Sequence, residues 1–415
     1  MKLQSIIDQK AKAAKYIHDE ITYICKNLPK RDPGSEGELE GCKYMAKVLK
    51  EQCGCDSAEL ESFKENPGSF YGWIYITVTC MLAAAALLFF LPVASIVLIV
   101  FGLVLAVLQF GLYWKFVDKL FPEKTGHNVT AIKKPTGEVK RRVFFNGHVD
   151  AAWEWPVNYA LGGVGFESHA ILGFLGAFYY LALSIIRTVT EGPVGVMSTA
   201  SPLWGWAIWA LIPFVPLWIG LFFLWNERRV VDGANDNLSG CYMGIALMKM
   251  LQDEGITFEN TEVGVIITGS EEAGLRGALA WGDAHQGEFQ DVPTYILSYD
   301  TIYDPKQLMA NYRNLNGTVK TDKEICDLFM EAAQDLGIFC KKGMVPPMGG
   351  ATDDAAFVKK GFRSGGITGL NHKLENYYHT RRDTWDNMNE EGMADCFAVS
   401  AKFLEKVDEG ALEKK

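Results

Sequence analysis

The chain has 415 residues, 49 % of them hydrophobic, and a formal net charge of −10. That length has room for more than one ordinary domain, and the acidic balance argues against nucleic acid as a partner. Nine cysteines, an odd set with no zinc-ribbon spacing, read as reduced thiols in a cytoplasmic compartment rather than as a disulfide framework.

In chain order, "MKLQSIIDQKAKAAKYIHDE" predicts a charged amphipathic helix and no cleavable signal. The chain then holds no charge from 70 to 114. "FYGWIYITVTCMLAAAALLFFL" (70–91) and "VASIVLIVFGLVLAVLQFGLYW" (93–114) are each long enough to cross a ~30 Å hydrocarbon core, and Pro92 between them predicts a tight helical hairpin. "NVTAIKK" (128–134) and "RRVFFNGHVD" (141–150) read as strands joined by a "PTGE" turn, hence as an antiparallel hairpin. "AILGFLGAFYYLALSII" (170–186) is the shortest candidate span and ends at Arg187, which is placed to snorkel. "LWGWAIWALIPFVPLWIGLFFLW" (203–225) is a further span, kinkable at Pro213 and Pro216 and rich in terminal Trp.

The soluble remainder alternates helix and strand. "LSGCYMGIALMKMLQDEG" (238–255), "DKEICDLFMEAAQDLG" (322–337) and "MADCFAVSAKFLEKVDEG" (393–410) have helical periodicity. "TEVGVIITGSEE" (261–272), "PTYILSYD" (293–300) and "SGGITGL" (364–370) read as strands. The pattern predicts an α/β fold with a mixed, mostly parallel sheet and helices on both faces, interrupted by two transmembrane hairpins. The expected division is one split domain over 1–67, 119–160 and 227–415, with hairpins at 68–118 and 161–226. Lys43, Lys47, Lys50 and Lys64 precede the first span. Lys115, Lys119, Lys124, Lys133 and Lys134 follow the second, and Arg228 and Arg229 follow the last. The far turns carry only Arg187 and Glu191. The positive-inside rule therefore predicts a multi-pass membrane protein with both termini and the soluble domain cytoplasmic.

Sites in such sheets form beyond the carboxyl ends of strands, where His148, Asp150, Glu271, Glu272 and Asp300 all fall. Together with Asp236 in "GANDNLSG" and His379, the candidate ligands are His148, Asp236, Glu272, Asp300 and His379. They are imidazoles and carboxylates without thiolate, the chemistry of catalytic rather than structural zinc. A pair of divalent ions needs a bridging carboxylate, and one central Asp with two further ligands per ion supplies it. Asp150, two residues beyond His148 on the same strand face, is placed to accept the other imidazole N–H. In the Glu271–Glu272 pair, one residue is free to bind metal while the other handles protons. Each motif alone is more often structural, as His127, His169, His285 and His372 illustrate. The order of the set carries the argument.

These motifs resemble metallopeptidase family twenty-eight, which includes secreted bacterial leucyl aminopeptidases, glutamate carboxypeptidase II, glutaminyl cyclases and the transferrin-receptor ectodomain. "RDPGSEGELEGCKYMAKVLKEQCG" (31–54) is similar to its N-terminal "R-x-x-G-S-x-G" helix. "NGHVDA", "GANDNLSG", "TGSEEAGLRGA", "GGATDDAAF" and "YYHTRRDTWDNM" resemble its later motifs in order. The resemblance implies that His148 and Asp300 hold one zinc, Glu272 and His379 the other, and that Asp236 bridges them, other divalent metals being open. It implies Glu271 as general base, Tyr378 as donor to the developing oxyanion, Asp150 as the orienter of His148 and Asp383 as a support for His379. Asp354 departs from the family, which often has His there. The implied activity is that of a di-zinc aminopeptidase on peptides, acting through a water activated between the metals. Alternatives are a carboxypeptidase-, deacylase- or cyclase-like reaction at the same site, or a non-catalytic receptor-like homologue. Both inserts depart and return near the metal face. That predicts either a catalytic mouth turned to the inner leaflet, with membrane-associated or apolar peptides as substrates or with the spans walling the cleft, or simple tethering. Oligomeric state and side-chain preference are not legible.

Overall fold

The computed structural model describes residues 2–347, 349–371 and 375–413; His372 lies outside them. The elements run α1 (Gln4–Asp8), α2 (Lys10–Asn27), α3 (Glu36–Glu51), β1 (Ser57–Glu65), α4 (Ser69–Leu87), α5 (Pro92–Ala106), β2 (Lys124–Lys133), β3 (Arg141–His148), β4 (Trp153–Glu154) and α6 (Pro156–Glu191). They continue with α7 (Pro202–Leu221), β5 (Asn226–Val230), α8 (Ser239–Asp253), β6 (Thr261–Thr268), α9 (Arg276–His285), β7 (Thr294–Ile302), β8 (Met309–Asn311), β9 (Arg313–Asn314) and β10 (Val319–Lys320). Helix α10 (Lys323–Asp335), β11 (Lys341–Gly343), α11 (Asp353–Lys359), β12 (Arg363–Gly369) and α12 (Glu390–Asp408) complete the chain. Two compact units result. One comprises Met1–Pro67, Glu123–Trp153 and Arg228–Lys415; the other comprises Gly68–Pro122 and Glu154–Glu227.

The first unit is α/β. Its eight-stranded sheet has the order β1-β2-β6-β3-β7-β12-β8-β11. The central strands β6, β3, β7 and β12 are parallel. Every residue of β6 and β7 is buried, which is why both read as unbroken apolar runs. Phe144 and Phe145 are consecutive on β3 and so point to opposite faces. Phe144 meets Trp281 of α9, which in turn meets Phe357 of α11. Phe145 lies on the other face, under Gly244 of α8. Helices therefore cover both sides.

The anticipated β2–β3 hairpin does not form. β6 inserts between the two strands, antiparallel to β2 (Val129↔Ile267) and parallel to β3 (Val143↔Val263). The "PTGE" turn reverses the chain but bonds sideways, with Thr136, Gly137 and Lys140 N–H donating to the carbonyls of Phe258, Glu259 and Asn260. A fully buried strand such as β6 needs both of its edges bonded, and the splayed pair supplies them. On its other edge β2 pairs antiparallel with β1, in register from Ser57↔Ile132 to Glu65↔Lys124. The first apolar insertion is thus the connection of a β-hairpin.

The second unit is helical apart from the ends of β4 and β5 at its margin, and four of its helices are long and apolar enough to cross a membrane. Close helix approach relies on small residues: Gly102 lies against Met81 and Thr77, and Gly176 against Phe214 and Trp218. Polar side chains bond across helices, Ser95 Oγ to Ala84 O at 2.8 Å, Tyr180 Oη to Ala207 O at 2.9 Å and Trp218 Nε1 to Gly173 O at 3.0 Å. The stretch read as 170–186 belongs to a 36-residue helix, α6, kinked at Gly162. Glu167 and His169 interrupt its apolar run but not its backbone, and His169 Nε2 lies 2.8 Å from Leu217 O within the helical unit. Arg187 does not snorkel: it is buried and donates to the carbonyls of Leu88 and Gly195.

Candidate metal centre

The site lies at the carboxyl ends of the parallel strands. His148 closes β3, and Asp300 sits near the end of β7. Glu271 and Glu272 follow β6 after Ser270, whose positive φ of 54° turns the chain sharply. Asp236 lies in a tight turn opened by Gly233 in the left-handed region, and His379, also at positive φ, lies before α12. Residues that span more than two hundred positions of sequence therefore meet.

Their polar atoms converge closely. His148 Nε2 is 3.4 Å from Asp236 Oδ1 and 3.9 Å from Asp300 Oδ2. His379 Nε2 is 3.0 Å from Asp236 Oδ2 and 3.1 Å from Glu272 Oε1. Three sets of three have ligand atoms within 4.8 Å of one another, His148–Glu271–Glu272, His148–Asp236–Asp300 and Asp236–Glu272–His379, and the last two share Asp236. Glu271 Oε2 lies 3.8 Å from His148 Nε2. Tyr378 stacks on His379 with ring centroids 4.1 Å apart.

A buried surplus of carboxylate dominates the electrostatics. Burial, then Asp236, push Asp300 up to about 8. Burial raises Glu271 far above the usual carboxylate range, with Glu272 and Asp300 adding to it against the opposing pull of His148. Burial opposes the charge on His379, yet Glu272 and Asp236 hold it up to about 10. Asp236 alone of the five candidate ligands is driven down: burial opposes this, but the two imidazoles set against its carboxylate prevail. Burial, then the surrounding carboxylates, raise the Tyr378 phenol and keep it a donor. His148 Nε2, Asp236 Oδ2 and Glu272 Oε1 are buried without a hydrogen-bond partner, an arrangement that costs free energy unless something else satisfies it. The donor set and these orphaned atoms fit a pair of divalent cations.

The supporting shell departs in part from expectation. Asp150 Oδ1 is 3.3 Å from His148 Nδ1, and the same carboxylate accepts the Glu271 and Glu272 N–H groups, each at 3.0 Å. One side chain thus orients an imidazole and cradles the double-glutamate turn. Asp383 is placed against the Asp236 turn, accepting from Asn235 N, Asn235 Nδ2 and Asp236 N at 2.8, 2.8 and 3.1 Å. Asp354 is fully buried and accepts from Asn314 and Thr352. Sequence reasoning missed Asn237, whose side chain donates to Tyr299 O and accepts from Gly240 N and Thr301 N, pinning the Asp236 turn to β7. Its signal was the second Asn of "NDN", an amide that both donates and accepts.

Residues 224–404 match the model of Peptidase family M28. No curated protein matches the chain in sequence. Among solved structures, an aminopeptidase from Aneurinibacillus sp. strain AM-1 is similar with a TM-score of 0.55 and 13% identity, covering 96% of this chain and 95% of that one. A zinc aminopeptidase from Bacillus subtilis has a TM-score of 0.54 at 12% identity, covering 95% of each chain. A glutaminyl cyclase from Porphyromonas gingivalis has a TM-score of 0.52 at 10% identity, covering 96% and 98%.

Proposed function

We propose, from the match of residues 224–404 to the model of peptidase family M28, that the chain is a metallopeptidase of that family and, more narrowly, a membrane-anchored, two-zinc aminopeptidase. The observation that carries this reading is Asp236, shared between two complete ligand sets. His148 and Asp300 would hold one zinc, Glu272 and His379 would hold the other, and Asp236 would serve both. When bound, the metals supply the Lewis acidity that makes water a nucleophile at neutral pH. Glu271, whose Oε2 lies 3.8 Å from His148 Nε2, takes the proton of the attacking water and returns it to the leaving amine. Tyr378, beside His379, donates to the carbonyl oxygen as charge develops there. Asp150 fixes the tautomer of His148 and the direction of the two glutamates.

The four long apolar helices serve as membrane spans, with the α/β unit on the cytoplasmic side. Within that unit both insertions are rooted near the ligands. β1 ends at Glu65, whose Oε1 lies 2.6 Å from Ser270 Oγ, one residue before Glu271. The second insertion leaves five residues after His148 and returns eight before Asp236. These roots favour peptides held at the bilayer surface as substrates. Full-length protein in vesicles should cleave aminoacyl reporters with free N-termini, lose activity to a chelator and regain it with zinc. Acyl-anchored peptides should turn over faster than soluble ones in vesicles but not in detergent. Cleavage of N-blocked reporters alone would shift the reading to a carboxypeptidase or deacylase, and cyclisation of N-terminal glutamine to a cyclase. Chelator-resistant cleavage would remove the metal reading.

A further inference from the structure

The motif "RDPGSEG" has no role in the chemistry so far. Its arginine is almost fully buried. Arg31 Nε donates to Val149 O at 2.8 Å, and its Nη2 alone reaches both Asp232 O and Gly233 O, the latter at 3.4 Å. These three acceptors are main-chain carbonyls, and the Cys25 side chain is a further neighbour of the guanidinium. The contact is reciprocated, because Ala151 N donates to Arg31 O at 2.9 Å. The neighbouring Lys30 ammonium pairs with Asp232. Two glycines clear the space. A Cβ on Gly41 would lie 3.0 Å from Arg31 Cδ and 2.8 Å from Val149 Cγ2, and one on Gly233 would lie 3.1 Å from a terminal guanidinium nitrogen.

Val149 follows His148 directly, and Asp232 and Gly233 open the turn that carries Asp236. Residues 154–227 separate these two segments in the chain. The β4–β5 pair and Val231 N–H, which donates to Ala152 O at 3.0 Å, clip the neck of this insertion, and Arg31 ties the two segments nearer the ligands, from Val149 to Asp232 and Gly233. Burying a cation is costly unless it is well bonded. A planar guanidinium spreads several donors over a rigid fork and so fixes the carbonyls of two separate segments in one geometry, where an ammonium offers three rotatable donors on a single nitrogen.

We propose that Arg31 is a positioning residue that sets the His148 segment against the Asp236 turn across the membrane insertion and so holds the shared carboxylate in place for both metals. The inference rests on the two-metal reading above. The test uses the full-length protein in detergent. Zn²⁺ affinity is measured by competition with a chromogenic chelator, the visible spectrum after Co²⁺ substitution reports ligand geometry, and melting of the metal-free protein reports stability. Arg31→Met should weaken Zn²⁺ binding at least tenfold and alter the Co²⁺ spectrum, with Arg31→Lys in between. Ser35→Ala removes the side chain that caps α3; it should lower the melting temperature while leaving affinity and spectrum unchanged. Should Arg31→Met fail to fold, Arg31→Lys decides. A folded Arg31 variant with affinity within twofold of wild type and an unchanged spectrum would overturn the inference and leave the metal reading standing. Wild-type protein that takes up no metal would overturn both.

Discussion

The two units solve opposite solvation problems. In the α/β unit the large apolar side chains are inside, from Trp281 to Phe329 and Phe357, and buried charge is concentrated at the strand ends around Asp236. In the helical unit the large apolar side chains face outward, with Val97, Trp209 and Ile212 exposed by 60%, 69% and 63%. Its buried positions include Gly102, Gly176, Ser95 and Ser184. The same hydrophobic effect would give both arrangements if the second unit's surroundings were themselves apolar, as proposed above. The difference teaches that buried polarity in the first unit is local and functional, whereas in the second it joins helix to helix.

The comparison breaks most sharply at Glu271. Glu271→Gln should retain metal and fold yet lose at least ~10³-fold in turnover, as expected for a proton carrier. Near-normal turnover of the pure variant would take Glu271 out of the chemistry. Tyr378→Phe should cost ~10²-fold in turnover, the scale of one oxyanion donor, with little change in metal content; an effect on metal content instead would make the residue structural.

The outward apolar face is tested by a charge. Val97→Asp should disfavour membrane insertion by ~3 kcal/mol, read as a lower membrane-inserted fraction. The same change at Leu60 of the α/β unit, which is also exposed, should leave insertion alone. Equal behaviour of the two variants would contradict the division. A smaller effect concerns Glu65, where Ser270 Oγ lies 2.6 Å from both Glu38 Oε2 and Glu65 Oε1. One hydroxyl cannot donate to both, and burial, then Glu38, push Glu65 up from 4.5 to about 8. The folded state thus binds a proton that the unfolded chain releases. Stability from this group is present below about 4.5 and lost as pH rises through about 8. Glu65→Gln should flatten that loss by a few degrees in melting scans between pH 5 and 9; an unchanged slope would exclude the shared proton.

Much of this was legible because ligand residues interrupt apolar strands abruptly. The breaks after "VFFNG", "VIITGS" and "YILSY" mark where His148, Glu271 and Asp300 leave the core. The adjacency of strands was not legible. β6 displaces β3 from β2 through pairing between residues about 130 positions apart, which no local turn encodes. β1 escaped notice because it is an edge strand whose Glu and Lys residues obscure its alternation, a pattern that also protects an edge from mispairing. β8 and β11 have three residues each, too few for any periodicity. Asp383 was visible as part of a motif, but its partner, the Asp236 turn, depends on a contact 147 positions away.

The central claim is that Asp236 is shared by two cations. Anomalous diffraction at the zinc edge from crystals of the metal-loaded protein tests it directly. Two peaks ~3.5–4 Å apart are predicted, one beside His148 and Asp300, the other beside Glu272 and His379, with Asp236 between them. A single peak, or peaks that leave Asp236 outside both coordination spheres, would contradict it.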